Sequence, residues 1–295
     1  MNNSVCSLCP RNCNIDRSIS TGVCGSSENI RIARADLHFF EEPCISGVNG
    51  SGAVFFSGCS MHCVYCQNDE ISHGKSGTDI SVKRLTEIFF ELRAKGAHNI
   101  NLVTGDHFIP EIVDAVKNAR DRGLDIPFIF NCSGYEKPDT LKLLRGLIDV
   151  YLPDMKYAES TLAEKFSNAP DYPEVSKNAI AEMVRQQPEV EFDSDGMIKS
   201  GVIVRNLLLP GHVMNSKMVL RYLYETYGDT IYMSIMSQYT PMKAFPDALK
   251  ELNRKVKKSE YERLTNYAID LGITNAYIQD MSASGKDYIP EFNLR

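Results

Sequence analysis

From residue 53 almost to its C-terminus the chain alternates short apolar runs of strand length with segments of helical periodicity, and that rhythm limits what it can fold into. Strands are predicted at 53–56, 100–103, 128–130, 150–152, 202–209 and 231–235, with a last one at 276–278. The stretch 81–95 places Leu85, Ile88, Phe89 and Leu92 on one helical face and stops at Gly96. Further helices are predicted at 109–122, 141–147, 173–187 and 215–227, the third opened by Pro173 and the last closed by Gly228. An Asp195-Gly196 turn leads into the fifth strand, and Ser259 with Glu262 reads as a capping box for a late helix ending at Gly272. Strands separated by helices call for a parallel sheet with right-handed crossovers, and an incomplete barrel fits this better than an open doubly wound sheet. With 295 residues, 43% of them hydrophobic, the chain can bury one large core.

Nine cysteines make the second constraint, because seven of them fall in two tight groups. The run Phe56-Ser-Gly-Cys59-Ser-Met-His-Cys63-Val-Tyr-Cys66-Gln-Asn68 follows the first predicted strand directly. Three thiolates in one loop can each take one iron of a 4Fe-4S cubane and leave the fourth iron without a protein ligand. A zinc knuckle is the competing reading, but structural zinc wants four closed ligands, usually in two separated pairs. The other group, Cys6, Cys9, Cys13 and Cys24, offers four thiols and closes a coordination shell. It suits a second 4Fe-4S cluster or zinc, and the single Cys-x-x-Cys pair favours iron and sulfur. Residues 1–45 are therefore expected to form a cysteine-rich metal-binding segment against a barrel spanning 46–295. Cys44 and Cys132 have no thiol partner nearby and read as ordinary buried cysteines.

The cysteine loop resembles that of radical S-adenosylmethionine enzymes, and its surroundings resemble the pyruvate formate-lyase activating enzyme family. The run Glu-Glu-Pro-Cys-Ile-Ser-Gly at 41–47 is shared with an uncharacterised activase-like branch. The resemblance implies a partial (β/α)6 TIM-like barrel with S-adenosylmethionine lying across the strand C-terminal ends. It implies reductive cleavage of that cofactor to a 5′-deoxyadenosyl radical, which abstracts hydrogen from a substrate. On the same footing Tyr65 packs near the adenine. Thr104 stands where a Gly-Gly-Glu-type motif binds the methionine amino group, and Ser133 reaches toward the ribose. Asn131 replaces an aspartate associated with a monovalent cation. Asp154 and Lys156 match an Asp-Leu-Lys run, and a charged pair at the barrel mouth is expected to orient the methionine carboxylate or the substrate. The stretch Ile203-Val-Arg205-Asn-Leu-Leu-Leu-Pro210-Gly211 matches an Ile-x-Arg-x-(apolar)3-Pro-Gly run. A guanidinium inside an apolar strand needs a carboxylate partner, for which the cofactor's is the candidate. His212, Gln238 and Tyr239 are expected to line the same mouth.

An activase analogy makes the substrate a glycine of a glycyl radical enzyme; a small metabolite or a peptide is the alternative, and a non-catalytic electron carrier is a reading from another class. A flavodoxin- or ferredoxin-type reductant is implied as partner. The formal net charge of -6 does not advertise a nucleic-acid surface. No apolar run of bilayer length and no basic n-region is read, so a cytoplasmic chain is expected.

Overall fold

The computed structural model describes residues 5–281 and Phe292, so most of the chain beyond residue 281 lies outside the described residues. In order the elements are β1 (Ile30–His38), α1 (Pro43–Ser46), β2 (Ser51–Phe56), α2 (Asp69–Ser72), β3 (Thr78–Ile80), α3 (Val82–Ala94) and β4 (Ile100–Val103). Then come α4 (Ile109–Asp121), β5 (Phe128–Cys132), α5 (Pro138–Leu141), β6 (Val150–Pro153), α6 (Ser160–Ser167) and α7 (Tyr172–Gln186). The last six are β7 (Glu191–Phe192), β8 (Ile198–Leu207), α8 (Val213–Tyr227), β9 (Tyr232–Met236), α9 (Lys258–Asp270) and β10 (Ala276–Ile278).

The strands form one sheet in the order β10-β9-β8-β6-β5-β4-β2-β1-β3, with β7 attached to β8. From β2 to β10 along that row every pairing is parallel, while β1 pairs antiparallel with both β2 and β3. Because β10 and β3 end the row, the sheet is an incomplete α/β barrel of the TIM type. Both faces are covered, which explains why the parallel strands read as unbroken apolar runs. Phe128 and Phe130 join the core that the helices share with the sheet. Alternate residues Ile129, Leu152 and Ile203 turn to the inner side and meet Cys44 and Ile45 of α1. Two positions further along, the inner face becomes polar at Asn131, Asp154 and Arg205. A cavity begins there.

Several elements differ from the sequence expectation for local physical reasons. Strand β1 carries a register shift between Ile32 and Arg34, and this bulge breaks the alternation that would have marked it. The Asp195-Gly196 turn closes a hairpin between β7 and β8, held by the Asp193 carboxylate accepting from the backbone of Asp195 and Met197. Instead of one helix over 141–147, α5 stops at Leu141 and a 3-10 turn follows over Lys142–Leu144. The cap of α9 lies two residues before the expected Ser259-Glu262 frame: the Glu260 carboxylate accepts from the backbone N–H of Lys257 at 2.8 Å. Arg254 and the Gly211 amide also donate to it, and Arg254 draws the carboxyl down to about 2.

Gly134, in the turn after β5, has φ +77, and a Cβ there would lie 2.1 Å from the Asp154 carbonyl oxygen. Gly134→Ala is therefore expected to lose about 1–3 kcal/mol of stability from left-handed strain and displacement of the β6 end. A urea unfolding midpoint unchanged from the parent chain would contradict that close approach.

Candidate active site

The cysteine loop leaves β2 through Gly58, whose φ of +96 and close approach to Ser26 and the Cys24 carbonyl leave no room for a side chain. Cys59 N–H donates to that same Cys24 carbonyl at 3.2 Å, and Val64 N–H donates to Phe166 O of α6 at 2.9 Å. The guanidinium of Arg11 completes the clasp. It donates to Ser60 O at 2.8 Å, to Ser167 O at 2.9 Å and to Asn168 O. The carbonyls that α6 leaves orphaned at its C-terminal end are thus taken by the loop and the N-terminal segment. Asn168, at φ 46, ends that helix in the left-handed conformation.

Cys59, Cys63 and Cys66 all line the cavity at the strand C-terminal ends. Burial, followed by the other thiols of the loop, pushes the Cys59 thiol far up and the Cys66 thiol up to about 12. Three thiols from one short loop that open on one cavity form the donor set of an iron-sulfur cluster, which takes one thiolate on each of three irons. Among the described residues no group of three or more His, Cys, Asp or Glu is gathered as one ion would require. A cubane instead places each thiolate on a different iron.

A line of hydroxyls leads into this loop. Ser167 Oγ donates to Cys63 Sγ at 3.1 Å, the Tyr157 hydroxyl lies 2.7 Å from Ser167 Oγ, and the Tyr65 hydroxyl lies 2.8 Å from that of Tyr157. The three side chains form one line of hydroxyls that ends at the Cys63 sulfur, with Tyr157 donating to Tyr65 and Ser167 donating to sulfur. The Tyr65 ring meets Phe166 and Tyr239 edge-on.

Arg205 is the centre of the polar floor. Its Nε donates to Asp154 Oδ1 at 3.1 Å, Nη1 to Glu41 Oε2 at 3.1 Å and Nη2 to Asn131 Oδ1. Asp154 also binds Lys156 Nζ. The carboxylate that the buried guanidinium requires is thus supplied from within the chain, by Asp154 and Glu41. Asn131 returns a hydrogen bond through Nδ2 to Glu41 Oε1 at 3.2 Å, and Asn101 donates to the same oxygen at 3.0 Å. An aspartate at 131 could accept from Arg205 but not donate to Glu41; the amide does both. Burial pushes the Glu41 carboxyl up despite Arg205. Burial acts the same way on Asp154, but there Lys156 and Arg205 prevail and hold it below the usual carboxylate range.

Tyr65, Thr104, Asn131, Ser133, Asp154, Lys156 and Arg205 all line this cavity. Thr104 has φ 58, a left-handed conformation that glycine adopts freely and a β-branched residue does not. Ser133 Oγ donates to Glu136 Oε1 at 3.0 Å. His212 is not in the wall: its Nε2 lies 3.6 Å from Glu251 and its ring meets Phe166 edge-on. Gln238 lines the cavity, whereas Tyr239 is buried with its hydroxyl on Leu252 O. Cys132 is buried as expected, but it also reaches the wall. Sequence reasoning missed Glu41 and Asn101, and the signals were an acidic pair before Pro43 and an amide inside an apolar strand. Two further buried carboxyls, Asp106 and Glu136, stand outside the cavity wall, and burial raises both, Glu136 to about 7.

The amino-terminal thiols lie against this loop and near one another. An ideal Cβ on Gly22 would stand 3.2 Å from Cys13 Sγ and 3.6 Å from Cys24 Sγ. Burial lifts the Cys9 thiol to about 12, with the charges of Cys24 and Cys13 adding, and burial raises Cys24 with Cys6 among its charged neighbours.

The fold and the loop define a class, an incomplete α/β barrel that presents three cysteines from the loop after its first parallel strand. The family model described as the Radical SAM superfamily matches residues 53–199, and the chain belongs to that superfamily. Membership implies cleavage of S-adenosylmethionine with an iron-sulfur cluster. The chain is 26% identical over 277 residues to an uncharacterized protein of Methanocaldococcus jannaschii, MJ0674, covering 90% of this chain and 76% of that one. Methylornithine synthase (PylB) shares the fold, with a TM-score of 0.52 at 14% identity over 75% of this chain. This chain spans 60% of the length of that structure.

Ser167→Ala removes the hydrogen bond to Cys63. It is expected to make the potential of the cluster at this loop more negative by tens of millivolts, since donors to cluster sulfurs favour the reduced state. Potentiometric titration followed by EPR reads the shift, and an unmoved potential in Ser167→Ala would contradict the assignment.

Proposed function

We propose that this chain is an activase-like radical enzyme that binds a 4Fe-4S cluster through Cys59, Cys63 and Cys66 and holds its substrate over the barrel mouth. The observation that carries this reading is that the three thiols of one loop enter the same cavity as Asn131, Asp154, Lys156 and Arg205. When bound, the cluster and S-adenosylmethionine together supply a hydrogen-abstracting 5′-deoxyadenosyl radical.

The chain's own residues bind and orient. Arg205 has committed three of its five N–H groups to Asp154, Glu41 and Asn131, which fixes the guanidinium plane and leaves donors for the cofactor carboxylate. Lys156, tied to Asp154, adds a second cation to the same floor. The turn at Thr104 directs backbone groups toward the methionine end, and Tyr65 with Ser133 bounds the adenosine end. His212 falls outside this binding surface because it faces Glu251. The segment 1–45 is proposed to carry a second metal centre at Cys6, Cys9, Cys13 and Cys24, iron-sulfur in preference to zinc, and a flavodoxin- or ferredoxin-type protein to deliver electrons. A backbone glycine of a protein partner is the substrate that the activase likeness suggests; a small metabolite or peptide is the alternative. Among the described residues no helix is long and apolar enough to cross a membrane.

Anaerobic reconstitution with iron and sulfide, followed by dithionite and S-adenosylmethionine, is expected to yield 5′-deoxyadenosine. Cys63→Ala should yield none while keeping the secondary structure seen by circular dichroism. A reconstituted, iron-loaded parent chain that forms no 5′-deoxyadenosine would contradict the proposal and favour an electron carrier.

A further inference from the structure

Beside the cysteine-lined cavity lies a second one, and the two share Phe40, Glu41, Arg205, Met236 and Gln238 in their walls. None of Cys59, Cys63 and Cys66 reaches the second cavity, whose remaining wall includes Glu42, Ser234, Tyr277, Ile278 and Asp280. It therefore extends the site away from the cofactor end.

Glu42 is a group in this wall that the fold leaves only half matched. It is only 8% exposed, and among the described residues its Oε2 has no hydrogen-bond partner. Ser234 gives the Glu42 carboxylate one side-chain hydrogen bond and the Arg205 charge attracts it, but the other polar groups nearby are committed elsewhere. The N–H groups that Arg205 gives to carboxylates go to Asp154 and Glu41. Lys156 goes to Asp154, and the Gln279 amide exchanges hydrogen bonds with Gln238 and Ser237. The charges do not balance either: Glu41, Glu42 and Asp154 face Lys156 and Arg205 across the two cavities. A buried carboxylate with one oxygen left unpaired is costly, and the group that best relieves it is a cation with N–H donors. Phe40 and Ile278, each about half exposed, give this cavity an apolar rim. Such a rim suits the hydrocarbon stem behind a cationic head.

We propose that this second cavity is the substrate end of the site and that it takes a primary ammonium group on an apolar stem, with the Glu42 carboxylate as counter-ion. This rests on the reading of the first cavity as the cofactor site. It names a recognition element that a protein, peptide or small-molecule substrate would need to present.

Three probes of matched size test the charge preference: N-acetyl-lysine methylamide, N-acetyl-norleucine methylamide and N-acetyl-glutamate methylamide. Each is titrated calorimetrically into the anaerobically reconstituted holoenzyme with S-adenosylmethionine and no reductant. The lysine probe is expected to bind at least about tenfold more tightly than the norleucine probe, with the glutamate probe weakest. In Glu42→Gln the lysine preference should fall to about twofold or less. Any other order of the three probes, no binding of the lysine probe, or a preference that survives in Glu42→Gln would overturn the proposal. The probe order in the parent holoenzyme decides the matter by itself should the variant not fold. Failure of the cofactor reading would instead appear as absent 5′-deoxyadenosine, whichever probe binds.

Discussion

A guanidinium buried inside a barrel can exist only if the fold brings carboxylates to it, and Arg205 sets that requirement for this molecule. Its partners arrive from three places: Asn131 at the end of β5, Asp154 just past β6, and Glu41 before α1. None is a sequence neighbour, so the network forms only when the strand ends are in register. Removing one member of such a buried set typically costs about 3–5 kcal/mol, because the remaining charge is left without a partner. The network therefore makes the polar floor of the cavity a consequence of correct sheet assembly. Its backbone is tied as well, since Met155 N–H donates to Arg205 O at 2.8 Å.

The cysteine loop depends on a different kind of support. It is irregular backbone, with Gly58 and His62 at positive φ, and the sheet alone does not hold it. The amino-terminal segment reaches it through Cys24 and Arg11, and α6 reaches it through the Phe166 carbonyl and the Ser167 hydroxyl. One helix terminus thus fixes the loop geometrically and also places a donor on the Cys63 sulfur. Hydrogen bonds of this kind set both the orientation of a metal ligand and the electronic character of the metal centre.

Much of this architecture was legible from the chain alone, for reasons that can be named. The strand at 100–103 reads correctly because it is a compact apolar run between a glycine stop and a helical repeat, and the same logic recovers the other parallel strands. The three-cysteine loop is legible because its chemistry depends on local spacing. Helix α6 escaped because it has only eight residues, too few for periodicity to declare itself. Strand β1 escaped because a bulge interrupts its alternation. Arg205 announced its need for a carboxylate but not its source, since Glu41 lies 164 residues away. His212 was placed at the mouth by its proximity to Pro210 and Gly211. In the structure it precedes α8 and faces Glu251 instead.

The central claim is that the loop of Cys59, Cys63 and Cys66 leaves one iron of its cubane without a protein ligand. Mössbauer spectroscopy of the chain reconstituted anaerobically with iron-57 tests this directly, recorded before and after adding S-adenosylmethionine without reductant. The account predicts that the signal of a single iron site moves to a larger isomer shift, as expected for added nitrogen and oxygen ligands, while the other sites stay unchanged. A spectrum that S-adenosylmethionine leaves unaltered would contradict it.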